Sequence, residues 1–315
     1  MSSALPTHVS PPTIVVAPRG QLFDLVRQTI AEQGPDCSLN HLDVSHVKQM
    51  NAVFADTAFN GDISRWETSQ VLDMSYMFRG CPFNGDISQW NTGSLAVAEY
   101  MFARSGFNGD LSGWNTARLQ NTTGMFEESI FNGSIASWDT RSMHMVARMF
   151  AKSQFNGDLS SWNLHKAFHS GNAKEMFAQT PYEGDLSSWR VPHAYNMEGA
   201  FSPVFKGILP APSLPTSKGF YEKLFGSSKQ LNKYLRTQSF TGAHFDVMRK
   251  SQSCPQNLDR TLHAWCRTIA KTGEALGLDD AALRAYAVQE YQRMQMHGSV
   301  PIERLDIGSL LELSA

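Results

Sequence analysis

The chain has 315 residues, 42% of them hydrophobic, and a formal net charge of -2. That length leaves room for more than one core, the apolar fraction excludes wholesale disorder, and the near-balanced charge disfavours a chain-wide nucleic-acid surface. Four cysteines, Cys37, Cys81, Cys254 and Cys266, form no CxxC pair and are too sparse for a disulfide framework, and no run approaches the length of a membrane span.

Met1 to Arg19 is rich in Ser, Pro and Thr, and its apolar run Ile14-Val15-Val16-Ala17 has no basic residue before it, unlike a secretory signal. Residues 1–19 are therefore expected to be a flexible leader. Leu22, Leu25, Val26 and Ile30 then share one helical face that stops at Gly34-Pro35. Residues 20–34 predict an N-terminal cap helix.

A repeat follows. Phe59-Asn60-Gly61-Asp62-Ile63-Ser64-Arg65-Trp66 recurs as Phe83 to Trp90, Phe107 to Trp114, Phe131 to Trp138, Phe155 to Trp162 and Tyr182 to Trp189. The first five copies start 24 residues apart and the last step is 27. A fixed period of this size marks a stacked array. Asn-Gly predicts a turn, and Asp62-Ile63-Ser64 a very short strand. Ile63 and Trp66 lie three apart, so the chain must bend before the indole. Val71, Met74 and Phe78 predict a short helix of about two turns, with Thr68 or Ser69 as its cap. Neither half is long enough to fold alone, so coils must stack. Weaker copies at Leu39 to Phe54 and after Trp189 suit the ends of such an array. The whole is expected to hold about seven coils at ~4.8 Å each.

Stacking turns each repeat position into a column. Asp62, Asp86, Asp110, Asp158 and Asp185 form one, with Ser134 between. Each Asp either accepts hydrogen bonds within its own turn or joins a face for a cationic partner; calcium is disfavoured because the GGxGxD repeat is absent. Asn60, Asn84, Asn108, Asn132 and Asn156 form a second column, of the structural kind. The positions beside the tryptophan vary, as Arg65 and Gln89 before it and Glu67 and Asn91 after it, and are candidates for partner recognition. Three extra residues enter within Leu164 to Asn172, carrying His165 and His169. They form either a tolerated surface insertion or a binding loop.

Residues 210–217, with Pro210, Pro212 and Pro215, read as a linker, and 218–315 as a helical domain. It is mildly basic, with 13 Lys and Arg against 10 Asp and Glu in residues 216–315, whereas the preceding residues carry 14 against 19. Predicted helices include 220–225, 229–236, one from near Pro255 to Gly277, one from Asp279 to near Gly298, and a last one over 302–313. His263 and Cys266 lie i, i+3, with Cys254 and His244 nearby in sequence. These four are the candidates for catalysis, but metal-ligand spacing is lacking. No catalytic, cofactor or metal residue is assigned.

The run Phe83-Asn84-Gly85-Asp86-Ile87-Ser88-Gln89-Trp90-Asn91-Thr92, followed by Met101-Phe102 and repeated in register, closely resembles the BspA-like leucine-rich-repeat proteins, found also as mycoplasma surface lipoprotein repeats. The start at Leu39 to Ser45 is similar to the way such arrays begin. The resemblance covers about residues 20–209. It implies an α/β solenoid of leucine-rich-repeat type, with short parallel strands and short helices, here followed by a small all-α domain. It also implies a bacterial surface or secreted protein that binds a protein partner and carries no catalytic residues. Absence of a Sec signal leaves the compartment open, cytoplasmic or exported by another route. Two other functions stay in view, an exported effector with a catalytic helical domain and an oligomeric subunit of a larger assembly such as a phage particle.

Overall fold

The computed structural model describes residues 15–16, 21–212, 220–237, 245–246, 249, 260–275 and 277–296. In chain order the regular elements are β1 (Val15–Val16), α1 (Leu22–Gln33), β2 (Leu42–Asp43), α2 (His165–His169), β3 (Arg190–Val191), a 3-10 turn (Ala194–Met197), β4 (Ala211–Pro212), α3 (Phe220–Leu224), α4 (Ser228–Thr237), α5 (Arg260–Ala275) and α6 (Asp280–Met296). Between β2 and α2 the chain is built almost wholly of turns and isolated bridges.

Those turns stack. Phe54, Phe78, Phe102, Phe126 and Phe150 lie face to face, with successive ring centroids 5.4 to 5.8 Å apart. The first aromatic of each block forms a second file, from Phe59 through Phe83 and Phe107 to Tyr182. Each repeat indole is almost fully buried. Trp66 Nε1 donates to Leu39 O at 2.9 Å and Trp114 Nε1 to Ile87 O at 3.1 Å. The indole thus meets the rule that a buried polar group finds a partner by bonding the preceding coil.

The segment that the apolar spacing predicts as a short helix is not helical. In the second coil Met74, Tyr76, Phe78 and Gly80 donate their amides to Val97, Glu99, Met101 and Ala103 of the next coil, at 2.7 to 2.9 Å. The alternate amides close four-residue turns, as Met77 N to Met74 O and Arg79 N to Tyr76 O. Tyr76 and Gly80 have φ of 61 and 64, which no right-handed helix tolerates. Consecutive four-residue turns bury Met74, Met77 and Phe78 at the spacing a helix would. The periodicity therefore marks the buried face and misassigns the backbone. Helix appears only in the inserted coil, where α2 buries Ala167 and Phe168.

The strand also moves. Asp62-Ile63-Ser64 makes a single parallel bridge, Ser38 to Asp62, and its counterpart near the other end pairs Asp185 with Ile208. The continuous ladder runs instead through Gln49, Asp73, Val97, Asn121, Met145 and Asn172. At Asp62 the side chain accepts the Ser64 amide at 2.9 Å, and such local side-chain bonds compete with sheet pairing.

Both ends are covered. Within the expected leader, Val15–Val16 pairs in parallel with Leu42–Asp43; residues 1–14 and 17–20 lie outside the described residues. Leu22 and Val26 of α1 pack into the core, and Arg27 Nη2 donates to Ala55 O at 2.9 Å. At the far end Gly199 and Phe201 donate to Lys223 O and Leu224 O of α3. Phe220, Leu224, Leu231 and Tyr234 belong to the repeat core, so α3 and α4 close the stack although the sequence assigns them to a separate domain. Pro212 of the expected linker stands in β4, paired with Val191.

A second cluster holds Phe245, Trp265, Cys266, Ile269, Leu283 and Tyr286. A Cβ on Gly273 would fall 2.0 Å from Leu283 Cδ2, so α5 and α6 touch there through a bare backbone. Asp246 is buried between Arg249 Nε at 2.8 Å and Arg284 Nε at 2.7 Å. The segment 302–313, predicted helical, lies outside the described residues.

Candidate interaction surface

The Asp column is a row of local turns. Asp62, Asp86, Asp110, Asp158 and Asp185 each accept the amide of the serine two residues on, at 2.7 to 2.9 Å. Those serine amides, chiefly, hold the carboxyls of Asp62, Asp86, Asp110 and Asp158 below their ordinary range. The neighbouring Asp62 and Asp110 charges oppose this at Asp86 only weakly. The Asn column is likewise engaged: Asn60 Oδ1 accepts Asn84 N, and the pattern repeats through Asn108, Asn132 and Asn156 at 2.7 to 2.9 Å.

Beside the tryptophans the candidates divide. Glu67 accepts Ser69 N and Asn91 accepts Gly93 N, so both cap their own turns. Arg65 and Gln89 are exposed at the same place in adjacent coils. His165 and His169 are exposed on α2, with ring centroids 5.4 Å apart, and His193 lies 5.7 Å from His169. Beside them a cleft of about 280 Å³ is lined by Trp162, Asn163, His165, Phe168, Trp189 and Arg190. Among the described residues no group of three or more His, Cys, Asp or Glu could hold a metal ion. Arg65 and Gln89 thus lie in different coils from the histidine pair.

The candidates for catalysis do not assemble among the described residues. Cys266 is fully buried and burial pushes its thiol well up, the opposite of an activated nucleophile. Cys254 and His244 lie outside the described residues, and of His263 only the helical backbone of α5 is described.

A further outer face lies over the turn segments. One column runs Ala52, Tyr76, Tyr100, Gly124, Arg148, Glu175 and Gly199. Tyr76 and Tyr100 stack with ring centroids 5.3 Å apart, and the Arg79 guanidinium lies 5.9 Å from the Tyr76 ring centre. Burial, and next the carboxylates of Glu99 and Glu127 respectively, raise the two phenols above their ordinary range. Arg148 bridges Glu127 and Glu175. Glu128 receives Arg104 and Lys152, each at 2.9 Å. Its members stand immediately before each Met-Phe pair, a regular place in the sequence, but only the stack brings them into one column.

No helix among the described residues is long and apolar enough to cross a membrane. The molecule is a repeat protein, coil bonded to coil at a fixed period. A family model described as "Mycoplasma protein of unknown function, DUF285" matches residues 26–130 and 107–206. Together these cover 26–206, more than half of the 315 residues, and the chain belongs to that family. No curated protein and no solved structure matches the chain.

Proposed function

We propose that the chain is a non-enzymatic protein-interaction scaffold, a solenoid of leucine-rich-repeat type akin to the BspA-like surface proteins. One observation carries this reading. Inner columns repeat nearly unchanged while an outer column changes at almost every step, as Tyr76, Tyr100, Gly124, Arg148 and Glu175. A constant scaffold with a variable, partly exposed face suits recognition of an extended partner surface. Exposed Arg65 and Gln89 offer a second strip, whereas the Asp column is occupied by its own turns. The burial of Cys266 speaks against that thiol as a nucleophile.

The test is a photo-crosslinking residue placed singly at Gln89, Tyr100, Arg148 and His165 in cells of the source organism. Protein adducts at one or more of these positions are expected. Their absence at all four overturns the scaffold reading. If the adducts lie at Gln89, the Arg65→Ala, Gln89→Ala double variant should lose them while melting at the wild-type temperature.

A further inference from the structure

We propose that Tyr76, Tyr100 and Glu99 form an anchor site for an arginine side chain of a protein partner. The proposal rests on the interaction-scaffold reading and gives that partner a chemistry.

Both tyrosines occupy left-handed backbone, φ 61 and 51, a conformation that bulky side chains disfavour. The fold does not require a side chain there, since Gly124 and Gly199 fill the same column at φ 59 and 66. Where the column carries Arg148 and Glu175, the two pair with each other across coils. The tyrosines stack on each other, Tyr76 also reaches Glu99 and the Arg79 guanidinium, and both remain half-buried. Left-handed non-glycine residues also stand at Ala52, Arg148 and Glu175 in this column, so the tyrosines are singled out by their chemistry, an aromatic pair where glycine would suffice.

The placement of the rings is built. A Cβ on Gly124 would lie 2.2 Å from Tyr100 Cε1, so the Tyr100 ring lies along the stack over the next coil. Only glycine at 124 leaves room for it. Tyr76 Oη and Asn121 Nδ2 each stand 3.4 Å from a different oxygen of Glu99, which fixes that carboxylate beside the rings.

Charge selects the occupant. Among the described residues Glu99 and Asp73 join no ion pair. The nearby cations are committed, Arg79 to Asp56 at 2.6 Å and Arg148 to Glu127 and Glu175. The site therefore presents aromatic faces and an uncompensated carboxylate, which together attract a cation. A guanidinium meets both needs, because it stacks flat on a ring and forks a carboxylate, whereas an ammonium does neither.

The experiment uses the full-length protein with 13C-labelled tyrosine rings, titrated with a blocked Gly-Gly-Arg-Gly-Gly peptide and its Lys and Glu counterparts. Saturable shifts of the Tyr76 and Tyr100 signals are expected with the arginine peptide. Affinity read at Tyr76 should fall about fivefold in Tyr100→Gly and in Glu99→Gln, and Tyr100→Gly should not lower the melting temperature. Absence of saturable shifts, equal affinity for the Glu peptide, or unchanged affinity in both variants overturns the site. The two readings fail separately: adducts at Gln89 with no saturable tyrosine shifts overturn the site alone, and adducts at none of the four positions overturn both.

Discussion

Tyr182 stands where the preceding copies carry phenylalanine, and its ring stacks on Phe155 with centroids 6.3 Å apart. Its hydroxyl is buried and makes no well-formed hydrogen bond, and burial pushes the phenol well up. A buried polar group without a partner costs about 1–3 kcal/mol. Tyr182→Phe restores the residue of the column and should stabilise the protein by about 1 kcal/mol, measured as a rise in the denaturation midpoint. A drop would show that the hydroxyl has a partner after all. At this scale the sequence was informative about what is buried and silent about what each polar atom does. The Asp residues were recognisable as turn acceptors or as a cationic face, and only the 2.7 to 2.9 Å bonds to the serine amides decide for the first.

The turn segment is the element that sequence periodicity misassigned. Apolar residues at i, i+3 and i+7 fit a helix, but they fit consecutive four-residue turns equally well. The backbone settles the matter through left-handed residues at two places per coil, such as Tyr100 with Arg104 and Glu175 with Gln179. A left-handed residue other than glycine costs roughly 1–2 kcal/mol, and glycine's extra unfolded-state freedom offsets about 0.5–1 kcal/mol of that. Gln179 has φ 59 and is exposed. Gln179→Gly should therefore raise stability by about 0.5–1 kcal/mol in chemical denaturation, and a clear loss would mean that the side chain packs usefully. The turns preceding the tryptophans give the molecule a pH response. The folded-state values of Asp62, Asp86, Asp110 and Asp158 lie below their ordinary 3.8. Their stabilisation is therefore complete above that value and is lost as pH falls below it, because the unfolded chain binds protons first. Melting temperature should hold between about pH 7 and 5 and fall below about pH 4. A fall that begins near pH 6 would instead implicate histidines.

For the whole molecule the decisive feature is how the stack ends. An array of bonded coils exposes amides, carbonyls and apolar faces at both ends unless something covers them. Here Val15–Val16 and α1 cover one end, and α3 accepts the last amides of the other. Helices α3 and α4 thus share the repeat core, while Trp265, Leu283 and their neighbours form a second one. Buried Leu224 lies at that seal. Leu224→Ala should cost about 2–5 kcal/mol and should speed hydrogen exchange at Gly199 and Phe201 more than at Tyr100 and Phe102. Uniform acceleration along the stack would show instead that the coils open as one unit.

The residues alone determined the period, the stacking of coils and the inward set of Phe, Trp and Met, because burial at a fixed spacing is written directly into a repeat. They also marked the terminal coils as atypical copies and residues 20–34 as a cap helix, but not α3 and α4 as the seal of the far end. Whether the backbone between them is helix or turn was decided only by tertiary structure. An amide donated to the next coil and one donated within a helix leave the same apolar pattern, and only the presence of the neighbouring coil selects between them. For the same reason the outer column of Tyr76 and Tyr100 became visible only in three dimensions: residues 24 apart in sequence touch because every coil in the stack repeats the bonds of the one before it.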